Sequence, residues 1–186
     1  EDGGPKDEAD LVAWLRDLLR RGSLWTDAVA IHVAWRTPRD GLPALAAEVA
    51  AAALPAERRK ETLAMGAAFR RAAAAWDCPE LAHWGGGPLP YPVAVAVLAR
   101  ARGAPEDDVV AAFLHAGAAN LVSAAVRLVP LGQSEGLRAL AALAADVVET
   151  ADASRGADLA ESGGACFAAD IAAMRHETQY TRLFRS

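Results

Sequence analysis

Cysteine is scarce. The 186 residues hold two, Cys78 and Cys166, far apart and outside any CxxC pair. That excludes a disulfide framework and fits a reducing cytosol. Strand signals are missing as well: no run alternates apolar and polar residues, and no hairpin turn lies between two such runs. β-branched residues other than valine are few, whereas alanine is abundant, which favours helices that pack closely. The four histidines stand apart, in no HExxH or HxxE pattern, and no Ser-His-Asp or Cys-His set can be nominated by spacing. Gly85-Gly86-Gly87 lacks the GxxxxGK[ST] pattern of a phosphate loop and follows no strand. A net charge of −5 argues against nucleic acid as the main partner. No signal-peptide pattern, repeat period or low-complexity linker is found. No catalytic residue, cofactor or metal ligand is therefore nominated.

What is present is length and helical periodicity. A chain of this size can bury around 70% of its unfolded surface, so it needs neither disulfide nor metal to fold. The most prominent stretch is PEDDVVAAFLHAGAANLVSAAVRLVPL, residues 105–131. Pro105 suits a first turn, and Glu106, Asp107 and Asp108 place negative charge at the positive end of the helix dipole. Pro130 and Gly132 are stop signals. Roughly 25 residues at 1.5 Å each make a rod of about 37 Å. Residues 109–126 carry no formal charge and are apolar all round, as in a core helix or a membrane span. The weak hydrophobicity of Ala and Gly, with His115, Asn120 and Ser123 inside the run, favours a central helix wrapped by others. One polar line marks it: Asn120, Ser123 and Arg127 share a face at i, i+3, i+7. A buried Arg127 would need pairing, so the line either satisfies neighbouring helix ends or borders a partner surface.

The other helices follow from caps and periodicity. Residues 7–21 form the first, with Leu11, Trp14, Leu15, Leu18 and Leu19 on one face and Gly22 as its stop. Residues 24–36 form the second, with His32 as a satisfied core histidine. Residues 42–53 and 56–76 follow; the second of these carries a stripe of Met65, Phe69, Ala72 and Trp76. Arg58-Arg59-Lys60 and Arg70-Arg71 read as a solvated face or as a dock for an acidic partner. Residues 77–91 form a loop with at most one helical turn; Cys78 and His83 in it are too few for a metal site. Residues 92–102 are helical. Ser134 caps a helix over 135–150 whose core face is Leu137, Leu140, Leu143 and Val147/Val148, and 152–159 is a further short helix. Ser162-Gly163-Gly164 reads as a hinge. The expected fold is all-α, a single orthogonal bundle around the central apolar helix. The domain spans 1–165, and 166–186 is a tail.

Three stretches carry a resemblance. Residues 112–140 (AFLHAGAANLVSAAVRLVPLGQSEGLRAL), Pro90-Tyr91-Pro92-Val93 and the terminal ADIAAMRHETQYTRLFRS resemble the urease accessory protein UreF. The likeness runs over the whole chain and is weakest over 24–84. It implies a helical, dimeric, cytoplasmic assembly factor that is not itself a catalyst. Such a protein would bind a UreD/UreH-type accessory protein, recruit or regulate the GTPase UreG, and serve nickel delivery to apo-urease. In that family an FxYSxGLE-like helix precedes the position of Glu1, which implies that an N-terminal segment is missing here.

Carried over by position, the resemblance makes Arg175, His176, Glu177, Tyr180, Arg182, Leu183, Phe184 and Arg185 the partner-binding tail. The polar line becomes Asn120, Ser123 and Arg127, followed by Gln133. The family usually has Gln-Thr-x-Gly-Gln where this chain has Gln133-Ser134-Glu135-Gly136-Leu137, so a polar group is lost at Leu137. From the residues alone, the tail is a last helix packed on its own bundle or a segment that orders on a partner, since it joins apolar anchors to Arg175, Arg182 and Arg185. The rival classes are a small helical enzyme using His115 or His176 with a carboxylate, and a membrane-embedded helical protein.

Overall fold

The computed structural model describes residues 5–161, and these are all-helical, with no strand among them. The elements are α1 (Glu8–Arg21), α2 (Ser23–Arg36), α3 (Leu42–Ala52), α4 (Ala56–Ala73), α5 (Pro79–Ala82), α6 (Tyr91–Ala101), α7 (Glu106–Leu128), α8 (Gln133–Ala142) and α9 (Ala144–Ser154). Short 3-10 turns lie at Arg39–Gly41, Ala74–Trp76 and Leu159–Glu161. The expected tail and hinge lie outside the described residues, as does the boundary at 165.

Capping fixes most of the ends. The Asp7 carboxylate accepts from the Asp10 N–H, so Asp7 is the N-cap and α1 starts at Glu8, one residue after the expected start. Gly22 ends α1 and directly precedes α2; a Cβ there would lie 2.8 Å from Leu18 Cα. At the far end of α2, the Arg100 guanidinium from α6 donates to the carbonyls of Ala34, Trp35 and Thr37, which the helix leaves without internal partners.

Burial is distributed differently from what the hydropathy implies. α7 packs on α1, α2, α6, α8 and α9, but through one face, Val110, Leu114, Ala118, Val122 and Ala125. Only 28% of its most apolar 18-residue stretch is buried, and Ala112, His115, Ala116, Asn120, Ser123 and Arg127 face outward. The reason is composition: an Ala/Gly-rich run has no charge to exclude it from the core and little hydrophobicity to drive it there. It remains the one helix among the described residues long and apolar enough to cross a membrane. The more enclosed helix is α2. It buries Leu24, Ala28, Val29, Ala30, Ile31, His32 and Ala34 and contacts α1, α3, α6, α7, α9 and the Leu159–Glu161 turn.

Two predicted stripes are only partly right, with Leu143 and Val147 buried as expected. On α4 the inward residues are Thr62, Gly66 and Ala73, with Phe69 partly covered; Ala72 is exposed and Trp76 is 54% exposed. Gly66 explains the difference. A Cβ on it would lie 1.8 Å from the Leu89 carbonyl oxygen, so α4 lays its backbone against the segment entering α6. After α7, Ser134 is not the cap: α8 begins at Gln133 behind Gly132, whose N–H donates to the Glu135 carboxylate. The helix breaks at Leu143, and Asp152 belongs to α9. The inward residues are Gly136, Ala139, Leu143, Asp146, Val147 and Thr150, while Leu137 is 69% exposed and Val148 56% exposed.

Candidate functional site

The polar line on α7 is a surface feature. Its i, i+3, i+7 spacing holds Asn120, Ser123 and Arg127 on the outward side, and all three are exposed. Arg127 Nε–H donates to the Ser123 carbonyl at 3.1 Å, within its own helix. The expectation of a desolvated guanidinium satisfying neighbouring helix ends is thereby corrected. Gln133 is also exposed, in the first turn of α8. Behind this face the two helices touch closely: a Cβ on Gly136 would lie 2.8 Å from Val126 Cγ2 and 3.1 Å from Val122 Cγ1. Gly136 thus sets the angle at which the Gln133 end of α8 meets the Arg127 end of α7.

Asn120 belongs to a second feature, a cavity of about 190 Å³ between α2, α4, α6 and α7. Its walls include Met65, Tyr91, Phe113 and Leu121, and its polar side is Asp27, Arg58 and Glu61. Tyr91 is held at the centre of an aromatic row. Its ring lies 5.5 Å from Phe69 at 71° and 5.3 Å from Phe113 at 38°. Its N–H donates to the buried Thr62 hydroxyl at 3.2 Å. Burial pushes the Tyr91 phenol up, with a smaller contribution from the Asp27 charge.

The Asp27–Arg58 ion pair beside that row was hidden in the sequence, where Arg58 reads as one of a solvated cation run. Its side chain is only 23% exposed and that of Asp27 only 13%, and Arg58 also reaches Glu61 Oε2 at 3.4 Å. Burial pushes the Asp27 carboxyl up, against the downward pull of Arg58. The Asp27 charge in turn raises Arg58 against its own desolvation. Arg59, Lys60, Arg70 and Arg71 are exposed as read.

The remaining polar groups are structural ties. His32 is fully buried: Nε2–H donates to the Ala151 carbonyl at 3.1 Å, and Nδ1 meets Glu106 Oε1 at 2.6 Å. It joins α2, α7 and α9, as a satisfied core histidine. Asp146 on α9 is buried and accepts from Arg16 and Arg20 of α1, each at 2.9 Å. Cys78 is buried and its thiol donates to Glu80 at 3.7 Å, while His83 Nδ1 bonds the Pro79 carbonyl at 2.9 Å. Glu80 and His83 have Glu-x-x-His spacing, but no third ligand joins them: no group of three His, Cys, Asp or Glu converges among the described residues. His115 is exposed on α7. The tail residues Arg175, His176, Glu177, Tyr180, Arg182, Leu183, Phe184 and Arg185 lie outside the described residues.

Set against known proteins, the chain matches the UreF family over residues 6–144. It is 46% identical over 188 residues to the urease accessory protein UreF of Agrobacterium fabrum, covering 100% of this chain and 84% of that one. It is 43% identical over 191 residues to the UreF of Mesorhizobium japonicum, covering 100% of this chain and 83% of the relative. To a UreF of Rhodopseudomonas palustris it is 45% identical over 194 residues, covering 100% and 82%.

Proposed function

The chain belongs to the UreF family, and on that premise we propose that it is a cytoplasmic scaffold in urease maturation, one that binds a UreD/UreH-type accessory protein and recruits or regulates a UreG-type GTPase for nickel delivery to apo-urease. UreF proteins are accessory proteins, not enzymes. The reading makes this chain a homodimer that works by holding partners together, with no nucleic acid or membrane partner. The observation that carries it is likeness at 43–46% identity along the entire chain to proteins named urease accessory protein UreF.

The exposure of Asn120, Ser123 and Arg127 on one face of α7 supports a docking role for the polar line. In the tail, Arg175, His176, Glu177, Tyr180, Arg182, Leu183, Phe184 and Arg185 combine aromatic and arginine anchors of the kind that dominate interface energies. Co-purification with the UreD-type and UreG-type proteins, together with urease activation in cells, tests the reading. Deleting residues 175–186 is expected to abolish capture of the UreD-type partner while leaving helical circular dichroism in place. Unchanged capture and activation by the deleted chain would overturn the tail's role. Failure of the full chain to support activation at all would overturn the whole proposal.

A further inference from the structure

His32 differs from the other buried ties in one respect: both of its ring nitrogens face acceptors. The ring is fully buried on α2, and each nitrogen has one partner. Nε2 lies 3.1 Å from the Ala151 carbonyl oxygen, which only accepts, so Nε2 carries a hydrogen. Nδ1 lies 2.6 Å from Glu106 Oε1, close enough that a hydrogen must sit between the two atoms. A neutral imidazole offers one donor and one acceptor, and Ala151 takes the donor. Beside an ionised Glu106, a neutral ring would therefore turn the Nδ1 lone pair onto a carboxylate oxygen. The junction of α2, α7 and α9 accordingly holds one proton more than a neutral histidine and an ionised glutamate provide.

That proton has two candidate seats, and the surroundings favour the ring. Glu106 is the first residue of α7, where the helix dipole favours negative charge, and its side chain is 25% exposed, so water also reaches its carboxylate. An imidazolium has both N–H groups taken by acceptors here, one of them charged. Among the described residues the neighbouring cations are engaged elsewhere. Arg155 meets Asp107 at 2.5 Å and Asp152 at 3.0 Å, Arg16 and Arg20 hold Asp146, and Arg36 and Arg100 donate to carbonyls. Asp108, Glu149 and Asp158 are exposed to solvent. We propose that His32 is an imidazolium and that its proton is a pH-sensitive latch, holding the first turn of α7 to α2 and α9. As pH rises the proton leaves, and the Nδ1 lone pair and the carboxylate then repel each other across the junction.

NMR of the intact chain with nitrogen-labelled histidine reads the assignment directly, because protonated and bare ring nitrogens resonate far apart. At pH 7.5 both His32 nitrogens are expected to report N–H. Glu106→Gln keeps the shape of the side chain and donates to Nδ1, so in that variant only Nε2 is expected to be protonated. Urea denaturation reads the latch. The folded parent then holds one proton more than the unfolded chain, whose histidine, with a pKa of about 6.5, is largely neutral at pH 7.5 and above. Stability falls as pH rises wherever the folded state binds the extra proton. One proton is a tenfold change in the folding equilibrium constant per pH unit, so between pH 7.5 and 8.5 the parent is expected to lose about tenfold more than Glu106→Gln. The raised Asp27 carboxyl adds to the fall in both chains alike, so the difference belongs to the His32–Glu106 pair. A bare Nδ1 in the parent chain at pH 7.5, or equal pH dependence in parent and variant, would overturn the proposal. Should the variant fail to fold, the NMR result on the parent chain decides alone.

Discussion

Replacing Arg58 by Met keeps most of the side chain's apolar stem and removes only its charge and donors. Asp27 is then left beside Tyr91 and Phe113 with its side chain 13% exposed and its main counter-ion gone. Breaking a buried pair by deleting one partner costs roughly 3–5 kcal/mol. Because Arg58 retains some solvent access at the cavity mouth, the lower end applies, about 3 kcal/mol. For a chain of this size that is a fall in Tm of about 6–12 °C.

The pH dependence has a definite sign. Burial already raises Asp27 in the parent chain, so its contribution to stability is fully present below the ordinary carboxylate pKa of about 3.9 and is lost as pH rises through the raised value. Without Arg58 the folded-state value climbs further, and the loss extends over a wider window above it. Urea denaturation of parent and variant is therefore expected to show a larger stability gap at pH 7.5 than at pH 5. The double variant Asp27→Leu, Arg58→Met should recover most of the loss, since a buried pair replaced by apolar groups of similar volume is often neutral. A penalty below about 1 kcal/mol at pH 7.5, or one identical at both pH values, would refute the account of Arg58 as a buried counter-ion.

Gly66→Ala puts a methyl into the Leu89 carbonyl, and because backbone rather than a flexible side chain must yield, a loss of about 3 kcal/mol is expected in denaturant melts. Arg127→Ala, on an exposed helix face, is expected to change stability by no more than about 0.5 kcal/mol yet impair urease activation in cells; a fully active variant removes Arg127 from the docking face. Arg100→Ala uncovers three carbonyls at the end of α2 and is expected to cost about 1–3 kcal/mol in denaturant melts.

Helix ends were legible in the sequence, and helix faces were less so. Asp7, Gly22, Pro105 and the prolines before α6 mark boundaries through local backbone chemistry, and the observed ends fall within a few residues of them. The faces of α4 and α8 were misread because these helices pack through their smallest residues. Gly66, Gly136 and Ala139 contribute almost nothing to a hydrophobic stripe, while Trp76, Leu137 and Val148 dominate one and point outward. Close approach of backbones is a property of two elements together, and one element's periodicity does not encode it. The same holds for the cavity: Asp27 and Arg58 are 31 residues apart, and only the tertiary fold that brings these two side chains together makes Arg58 a counter-ion rather than a solvated charge. The polar line was visible by spacing, but its outward orientation depended on how weakly an alanine-rich helix competes for the interior.

Gly22 is the whole of the joint between α1 and α2. One residue offers two soft dihedrals, and the nearness of Leu18 to any added Cβ leaves little room to swing about them. The two helices are thus an elbow set at one angle. One arm is bolted to α9 where Arg16 and Arg20 grip Asp146; the other runs from Asp27 at the cavity to Arg36 beside the carbonyls of Arg155 and Ala157. α2 therefore links the chain just after α9, at one end, to the far wall where Asp27 and Arg58 meet, at the other.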